Sequence, residues 1–428
     1  MTDVHSDQIL VEEYPASSPS LRLSVVTETW PPEINGVSLT LSRLVQGLCA
    51  RNHQVQLIRP RQTRVDEASR HTGFEEVLMR GMPIPRYPEL KLGLPGKRAL
   101  IQAWTLRRPD LVHIATEGPL GWSALQAARS LRLPVTSDFR TNFQAYSQHY
   151  GVGWLRKPIV AYLRKFHNLT RLTMVPTEAL RRELAAGGFQ NVQVVARGVD
   201  TQLFRPDRRS DALRTSWGAD ADSLVLLAVG RLAAEKNLDM VLRAFEAMRA
   251  VNAGVKLVFV GDGPLRENLR QRCPAAVFAG MQRHESLATY YASADLFLFP
   301  SITETFGNVT IEALASGLPV LAFDSAAAAD WVRHGANGWL VPVGDEAGYA
   351  SLAAGLASEP ARIAQASTLA RSQVAQLDWQ QIAWQVESLF LQTLGAAAAP
   401  VPSAQPASPT SPTSPTSQAS DTRATNSV

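Results

Sequence analysis

Two glutamates eight positions apart, Glu304 and Glu312, stand in FPSITETFGNVTIEALASG, the stretch Phe299–Gly317. Glu304 falls in a polar turn after the apolar run Asp295–Phe299. Glu312 falls inside a helix that opens with Gly307 and small residues. A helix N-terminus offers free N–H groups and a partial positive charge, which suits a phosphate. Carboxylates do not bind phosphate, but they accept hydrogen bonds from hydroxyls, which a sugar and a ribose both supply. The combination describes a nucleotide-sugar pocket. The competing reading is a capped surface helix with two solvated acids.

A second constellation is Gly230-Arg231-Leu232-Ala233-Ala234-Glu235-Lys236-Asn237, again directly after an apolar strand. A forked guanidinium and an ammonium on one loop make a clamp for a diphosphate. A solvated turn before a helix is the alternative. A third is Asn35-Gly36-Val37, where a strand, a glycine-containing loop and a helix follow in order, a common phosphate cradle and equally an ordinary strand–helix turn. Gly261-Asp262-Gly263-Pro264-Leu265 lacks the third glycine of a dinucleotide fingerprint and reads as a tight turn near a nucleotide base. Asp220-Ala221-Asp222 precedes a strand, at the wrong end of the sheet for a metal site, and reads as a solvated turn. His113 ends a strand, where it either touches substrate or packs. No acid or histidine cluster has metal-ligand spacing, and no Ser/His/Asp or Cys/His set suggests nucleophilic hydrolysis.

These residues need a scaffold, and the chain supplies alternating strands and helices. Apolar runs at Leu21–Thr27, His53–Arg59, Leu111–Ala115, Pro134–Ser137, Leu172–Val175 and Val192–Ala196 are spaced by helical patterns, among them one capped by Thr177. The alternation restarts at Ser223–Val229 and continues through Lys256–Val260, Ala276–Ala279, Asp295–Pro300, Val320–Phe323 and Gly338–Pro342. Such alternation predicts two parallel sheets covered by helices on both faces, an α/β class. The expected domains are residues 21–198, joined by a returning helix 379–394, and residues 199–378. Residues 1–20 read as a disordered leader and 396–428 as a disordered Pro/Ser/Thr tail. Two long connections, Gln62–Lys97 and Asp138–Gly153, are expected to carry binding work.

The chain has 428 residues, enough for two cores, and no run of about 20 apolar residues that would span a bilayer. The polar, acidic N-terminus does not resemble a secretory signal, and Cys49 and Cys273 stand far apart, so a cytoplasmic setting with free thiols is expected. Residues 1–200 hold 25 Lys and Arg against 17 Asp and Glu, a net +8, while the remainder holds 17 against 21, a net −4. The basic half expects an anionic membrane surface or substrate; no motif supports a nucleic-acid partner. The helix Trp154–His167 mixes Arg156, Lys157, Arg164 and Lys165 with Trp154, Tyr162 and Phe166, a mix that suits a membrane-facing helix and equally a solvated basic face.

Taken together and in order, these motifs resemble the retaining glycosyltransferases of family 4, which have the GT-B fold of two facing Rossmann-like domains. The resemblance covers about Leu21 to Leu394. Glu304 and Glu312 meet its E-x7-E signature, Arg231 and Lys236 its Gly-Arg-x4-Lys clamp, and Asn35-Gly36-Val37 its first glycine loop. Val199-Asp200 with Phe204 matches its interdomain pattern, and Leu377-Asp378-Trp379 its crossing back to the first domain. The nearest resemblance is to lipid-glycosylating enzymes, including phosphatidylinositol mannosyltransferases and sulfoquinovosyl-diacylglycerol synthases.

The resemblance implies transfer of mannose or glucose, as an α-glycoside, from GDP-mannose or UDP-glucose to a lipid or glycan acceptor, with no metal or other cofactor required. It implies Glu304, Arg231 and Lys236 as catalytic residues, and Gly36, Phe306, Gly307, Asn308 and Glu312 as further donor contacts, Glu312 on the ribose. Arg140, Asn142 and His113 are implied on the acceptor or sugar side. Many relatives have His-Thr where this chain has Arg140-Thr141, so the family's histidine role does not transfer to an always-charged fork. A lipid acceptor would place the enzyme at the inner face of the cytoplasmic membrane. The alternatives are a soluble or polysaccharide-precursor acceptor, or a nucleotide-sugar epimerase on the same fold.

Overall fold

A computed structural model describes residues 19–33, 36–63, 65–84, 87–140, 156–304 and 306–395. Residues 1–18, Asn35, Pro85, Asn142, Trp154 and the tail 396–428 lie outside the described residues.

In the first half, β1 (Arg22–Val26), α1 (Gly36–Ala50) and β2 (Gln54–Pro60) are followed by β3 (Arg70–His71), β4 (Phe74–Met79), β5 (Gly81–Ile84), β6 (Tyr87–Gly93) and α2 (Lys97–Leu106). Then come β7 (Leu111–Ile114), α3 (Pro119–Ser130), β8 (Val135–Asp138), α4 (Arg156–Asn168), β9 (Leu172–Val175), α5 (Glu178–Ala186) and β10 (Val192–Val194). The sheet order is β10-β9-β8-β7-β1-β2-β4-β3, with every neighbour parallel except β3. Thr177 caps α5 as its type predicts, its hydroxyl accepting from the Leu180 amide at 3.3 Å.

The connection Gln62–Lys97 is not one long loop. It contributes β3 and β4 to the sheet edge and folds β5 and β6 into an antiparallel pair. β4 escapes a hydrophobic-run reading because it is FEEVLM, with two adjacent acids. Those acids are paired on the edge: Glu76 with Arg59 at 2.9 Å and Glu75 with Arg107 at 2.6 Å.

The second half runs α6 (Asp211–Ser216), β11 (Val225–Val229), α7 (Leu238–Val251), β12 (Lys256–Val260), α8 (Arg266–Arg272), β13 (Val277–Phe278), α9 (His284–Ser293), β14 (Leu296–Phe299), α10 (Asn308–Ala315), β15 (Val320–Phe323), α11 (Ala326–Trp331), β16 (Gly338–Val341), α12 (Glu346–Ser358), α13 (Pro360–Ala370) and α14 (Trp379–Leu394). Its order, β13-β12-β11-β14-β15-β16, is parallel throughout. Successive strand residues serve opposite faces. Leu226 and Ala228 join a core with Val241, Phe245 and Tyr349, while Val225 and Leu227 join one with Tyr291, Ile311 and Leu314. Both faces are covered, which explains the unbroken apolar runs. Chain direction across this sheet reverses between β11 and β14, the place where ligands settle in open parallel sheets.

Two chain crossings tie the halves together side by side. The Val199 amide donates to the Leu377 carbonyl at 2.8 Å, and Val199 bridges Asp378. α14 then packs on the first half, with Val386 and Phe390 in the core of Leu23, Val25 and Leu44. Its buried Glu387 accepts from Arg51 and lies 3.0 Å from His53 Nε2. His53 Nδ1 already accepts from the Leu21 amide at 3.0 Å, so Nε2 carries the ring proton and donates.

Candidate active site

β11 and β14 end at the switch point, and the residues with chemistry follow both. After β11, the chain turns through Gly230 at φ +147° and makes one short turn, Ala234–Lys236, before α7. Lys236 Nζ reaches the Glu304 carboxylate, which also accepts from Ser301 Oγ at 3.0 Å on the same oxygen. The two loops are further joined by Asn237 Nδ2 donating to the Pro300 carbonyl at 3.3 Å. Lys236 and Glu304, 68 positions apart, thus form one ion pair at the mouth of the second sheet. Arg231 stands beside them with its side chain 70% exposed and only a loose 3.9 Å approach to Glu235.

Next to this loop lies the Gly261 turn. Gly261 has φ +132°, and a Cβ there would stand 1.9 Å from the Gly230 carbonyl oxygen, so only glycine lets the β11 and β12 ends meet. The Leu265 amide donates to Leu232 at 2.9 Å. α8 starts at Arg266, directly after this turn.

α10 opens at Asn308 after Gly307, which has φ +89° and contributes no capping side chain. No side chain at Gly307 caps its first-turn amides. Further along α10, Glu312 accepts from Tyr291 Oη at 3.0 Å. Burial pushes its carboxyl up to about 7, and the Tyr291 hydrogen bond offsets this only in part. Burial likewise raises Glu28, whose carboxylate accepts from the Leu120 amide at 3.0 Å, to about 7.

A raised carboxyl pKa favours the protonated fold. Each contribution is complete below the unfolded value of 4.5 and is lost as pH rises through about 7. Resistance to urea should therefore fall as pH rises from about 4.5 to about 7. Glu312→Gln should remove part of that slope, by up to about 3 kcal/mol. An unchanged slope in Glu312→Gln would contradict the assignment.

On the facing side, β8 delivers Asp138 and Arg140. Arg140 Nε donates to Asp138 Oδ2 at 2.8 Å, and Nη2 shares the same oxygen. Burial would raise the Asp138 pKa, but the Arg140 charge and His113 outweigh it and hold the carboxyl well below the usual carboxylate range. His113 is wholly buried, with Nδ1 3.0 Å from Thr136 Oγ1, Nε2 3.4 Å from Asp138 and its ring against Phe390. It packs in the interior, one of the two readings its place at a strand end allows. The Phe306 side chain is in the core of the second half. Asn142 lies outside the described residues.

One cleft residue has no place in the sequence motifs. Arg197, just before the Gly198-Val199-Asp200 crossing, lies between the halves. Its Nη1 donates to Asn308 Oδ1 at 3.4 Å, and its guanidinium sits 5.6 Å from the Phe306 ring. A Cβ on Gly36 would stand 3.2 Å from that Nη1, so Gly36 is placed at the same point from the other side. Burial, then Arg140, pulls the Arg197 pKa down to about 9, against the opposing charges of Asp138 and Glu304. Lys236 pairs with Glu304 from one half, Arg140 pairs with Asp138 from the other, and Arg197 lies between the halves. This arrangement can neutralise a diphosphate and still offer carboxylates to hydroxyls.

Known proteins share this construction. Residues 34–203 match the family described as Glycosyltransferase Family 4, and residues 223–359 match Glycosyl transferases group 1. A GDP-mannose-dependent alpha-mannosyltransferase of Mycobacterium tuberculosis is 36% identical over 327 residues, 76% of this chain and 85% of the relative. A GDP-mannose-dependent alpha-(1-6)-phosphatidylinositol monomannoside mannosyltransferase of the same organism is 28% identical over 340 residues, 75% of this chain and 85% of the relative. Among solved structures, sucrose-phosphate synthase from Thermosynechococcus elongatus superposes with a TM-score of 0.69 at 20% identity, over 88% of this chain and 100% of that one. By both matched segments and by these relatives, the chain belongs to glycosyltransferase family 4 and has its two-sheet GT-B architecture.

Proposed function

We propose that the chain transfers a mannosyl group from GDP-mannose to a hydroxyl of a lipid acceptor, with α configuration retained. The observation that carries this is the Lys236–Glu304 pair at the switch point, beside Arg231 and the start of α10. An entering diphosphate competes for Lys236, and Glu304 then turns to hydroxyls of the transferring sugar. Glu312 accepts from the donor ribose. The donor choice draws on the first relative's name and the lipid acceptor on the second's. Purified protein incubated with radiolabelled GDP-mannose and a bacterial lipid extract should yield a labelled lipid, while UDP-glucose should yield far less. Preference for UDP-glucose would replace the donor; label appearing only in soluble glycans would replace the acceptor.

A lipid acceptor requires contact with a bilayer surface. Among the described residues, no helix is long and apolar enough to cross a membrane. On α4, Lys157, Arg164 and Lys165 are exposed, and Tyr162 is partly so. Phe166 is wholly buried in the first half's core, so the helix has fewer aromatics to offer a membrane than its sequence suggests. The three bases contribute about 1 kcal/mol each near an anionic surface. The protein should sediment with phosphatidylglycerol vesicles at low salt and be released at high salt, because salt screens surface charge. Changing the three bases to Gln should leave it in the supernatant. Wild type that ignores such vesicles at low salt would move a soluble acceptor ahead.

A further inference from the structure

We propose that Arg197 is a third cationic ligand of the donor's diphosphate, contributed from the first-half side of the cleft and gripping the phosphate that bears the sugar. The proposal rests on the nucleotide-sugar reading above.

Arg197 is buried, at 9% exposure, yet its Nε has no hydrogen-bond partner among the described residues. Its one hydrogen bond among the described residues is the long 3.4 Å contact to Asn308, and no carboxylate pairs with it. Its cationic neighbour Arg140 is different: two of its three guanidinium nitrogens donate to the Asp138 carboxylate. An unpaired guanidinium taken out of water is costly, and a fold that keeps one in a cleft has a place ready for an anion. The ring of Phe306 under the guanidinium fixes its plane without supplying a negative charge.

The surroundings select a phosphate. Arg197 lies between the first residues of two helices, Gly36 of α1 and Asn308 of α10. Both N-termini add partial positive charge and N–H donors at one point. A planar fork with a free Nε–H suits bidentate contact with phosphate oxygens.

The charges also select which phosphate. Glu304, assigned to the sugar hydroxyls, lies against Gly307, its Cγ 3.7 Å from where a Cβ there would stand, directly before the Asn308 that Arg197 contacts. Arg197 therefore faces the sugar end of the donor, while Arg231 and Lys236 approach from the second sheet. A diphosphate held this way is gripped from both halves. Its binding draws α1 and α10 onto one anion, across the paired crossings at Val199 and Asp378.

The test is calorimetric titration of the full chain with GDP and GMP, and with UDP and UMP. Arg197→Met should weaken whichever diphosphate the wild type binds by about 10–100-fold, the range for hydrogen bonds to charged groups. Affinity for the matching monophosphate, which lacks the gripped phosphate, should be unchanged. Arg197→Lys keeps the charge but loses the fork and Nε–H, so its affinity should fall between the two; it decides the question if the Met variant does not fold. Equal losses for diphosphate and monophosphate would reduce Arg197 to a structural role and overturn the proposal. Diphosphate binding weakened by Lys236→Met but not by either Arg197 variant would overturn it alone. Wild type that binds neither GDP nor UDP would overturn the donor reading and the proposal together.

Discussion

Glu304→Gln should lower the transfer rate by about 10²–10³-fold, the scale of removing one preorganised electrostatic contact at a reacting centre. The substitution keeps the side chain's shape and one acceptor oxygen. It removes the charge that pairs with Lys236 and that would accept from sugar hydroxyls. Stability should change far less. The pair is partly open, with side chains 23% and 18% exposed, and such pairs contribute about 1 kcal/mol or less. Turnover at saturating donor and thermal denaturation, measured on the same preparation, separate the two effects. Wild-type turnover on the true acceptor would end the assignment of Glu304, and a large loss of stability would make any rate loss uninformative.

The largest structural effect is expected from Gly261→Ala. An added methyl would meet the backbone of Gly230, 1.9 Å from its oxygen and 2.9 Å from its carbonyl carbon. Backbone cannot swing aside as a side chain can, and φ +132° is strained for any residue with a Cβ. The β12 end must therefore move away from the Gly230–Lys236 loop, at a cost of about 2–4 kcal/mol. Donor affinity should fall with it, because that loop carries Arg231 and Lys236. Gly344→Ala is the control. Gly344 also has positive φ, +89°, but nothing lies within 4 Å of its added Cβ, so it should lose only about 1 kcal/mol. Equal losses in the two variants, measured by urea denaturation, would show that backbone strain and not the clash governs the site.

Much of the architecture is legible in the sequence. The unbroken apolar runs announced strands covered on both faces, and both parallel sheets are built from them, because alternate residues feed opposite cores. Arg231, Lys236 and Glu304 stand out in the sequence as candidates because their side chains follow strand ends directly. A strand's C-terminal end in a parallel sheet opens on the ligand side whatever the rest of the chain does. β4 was hidden because its acids belong to a sheet edge, where partners such as Arg59 and Arg107 arrive from elsewhere in the chain.

Pairing across the fold belongs to the tertiary structure alone. Sequence spacing places Lys236 and Glu304 near strand ends, but only the order of β11 beside β14 puts one on the other. His113 and Phe306 have the residue types of ligands, and only packing shows them closed into the interior. Arg197 is the converse case. It reads as one more charge before a turn, and becomes a buried, half-satisfied cation only when α1 and α10 close on it from opposite halves. Local sequence sets what a side chain is able to do. Burial and partners, which decide whether it does so, are set by residues more than a hundred positions away.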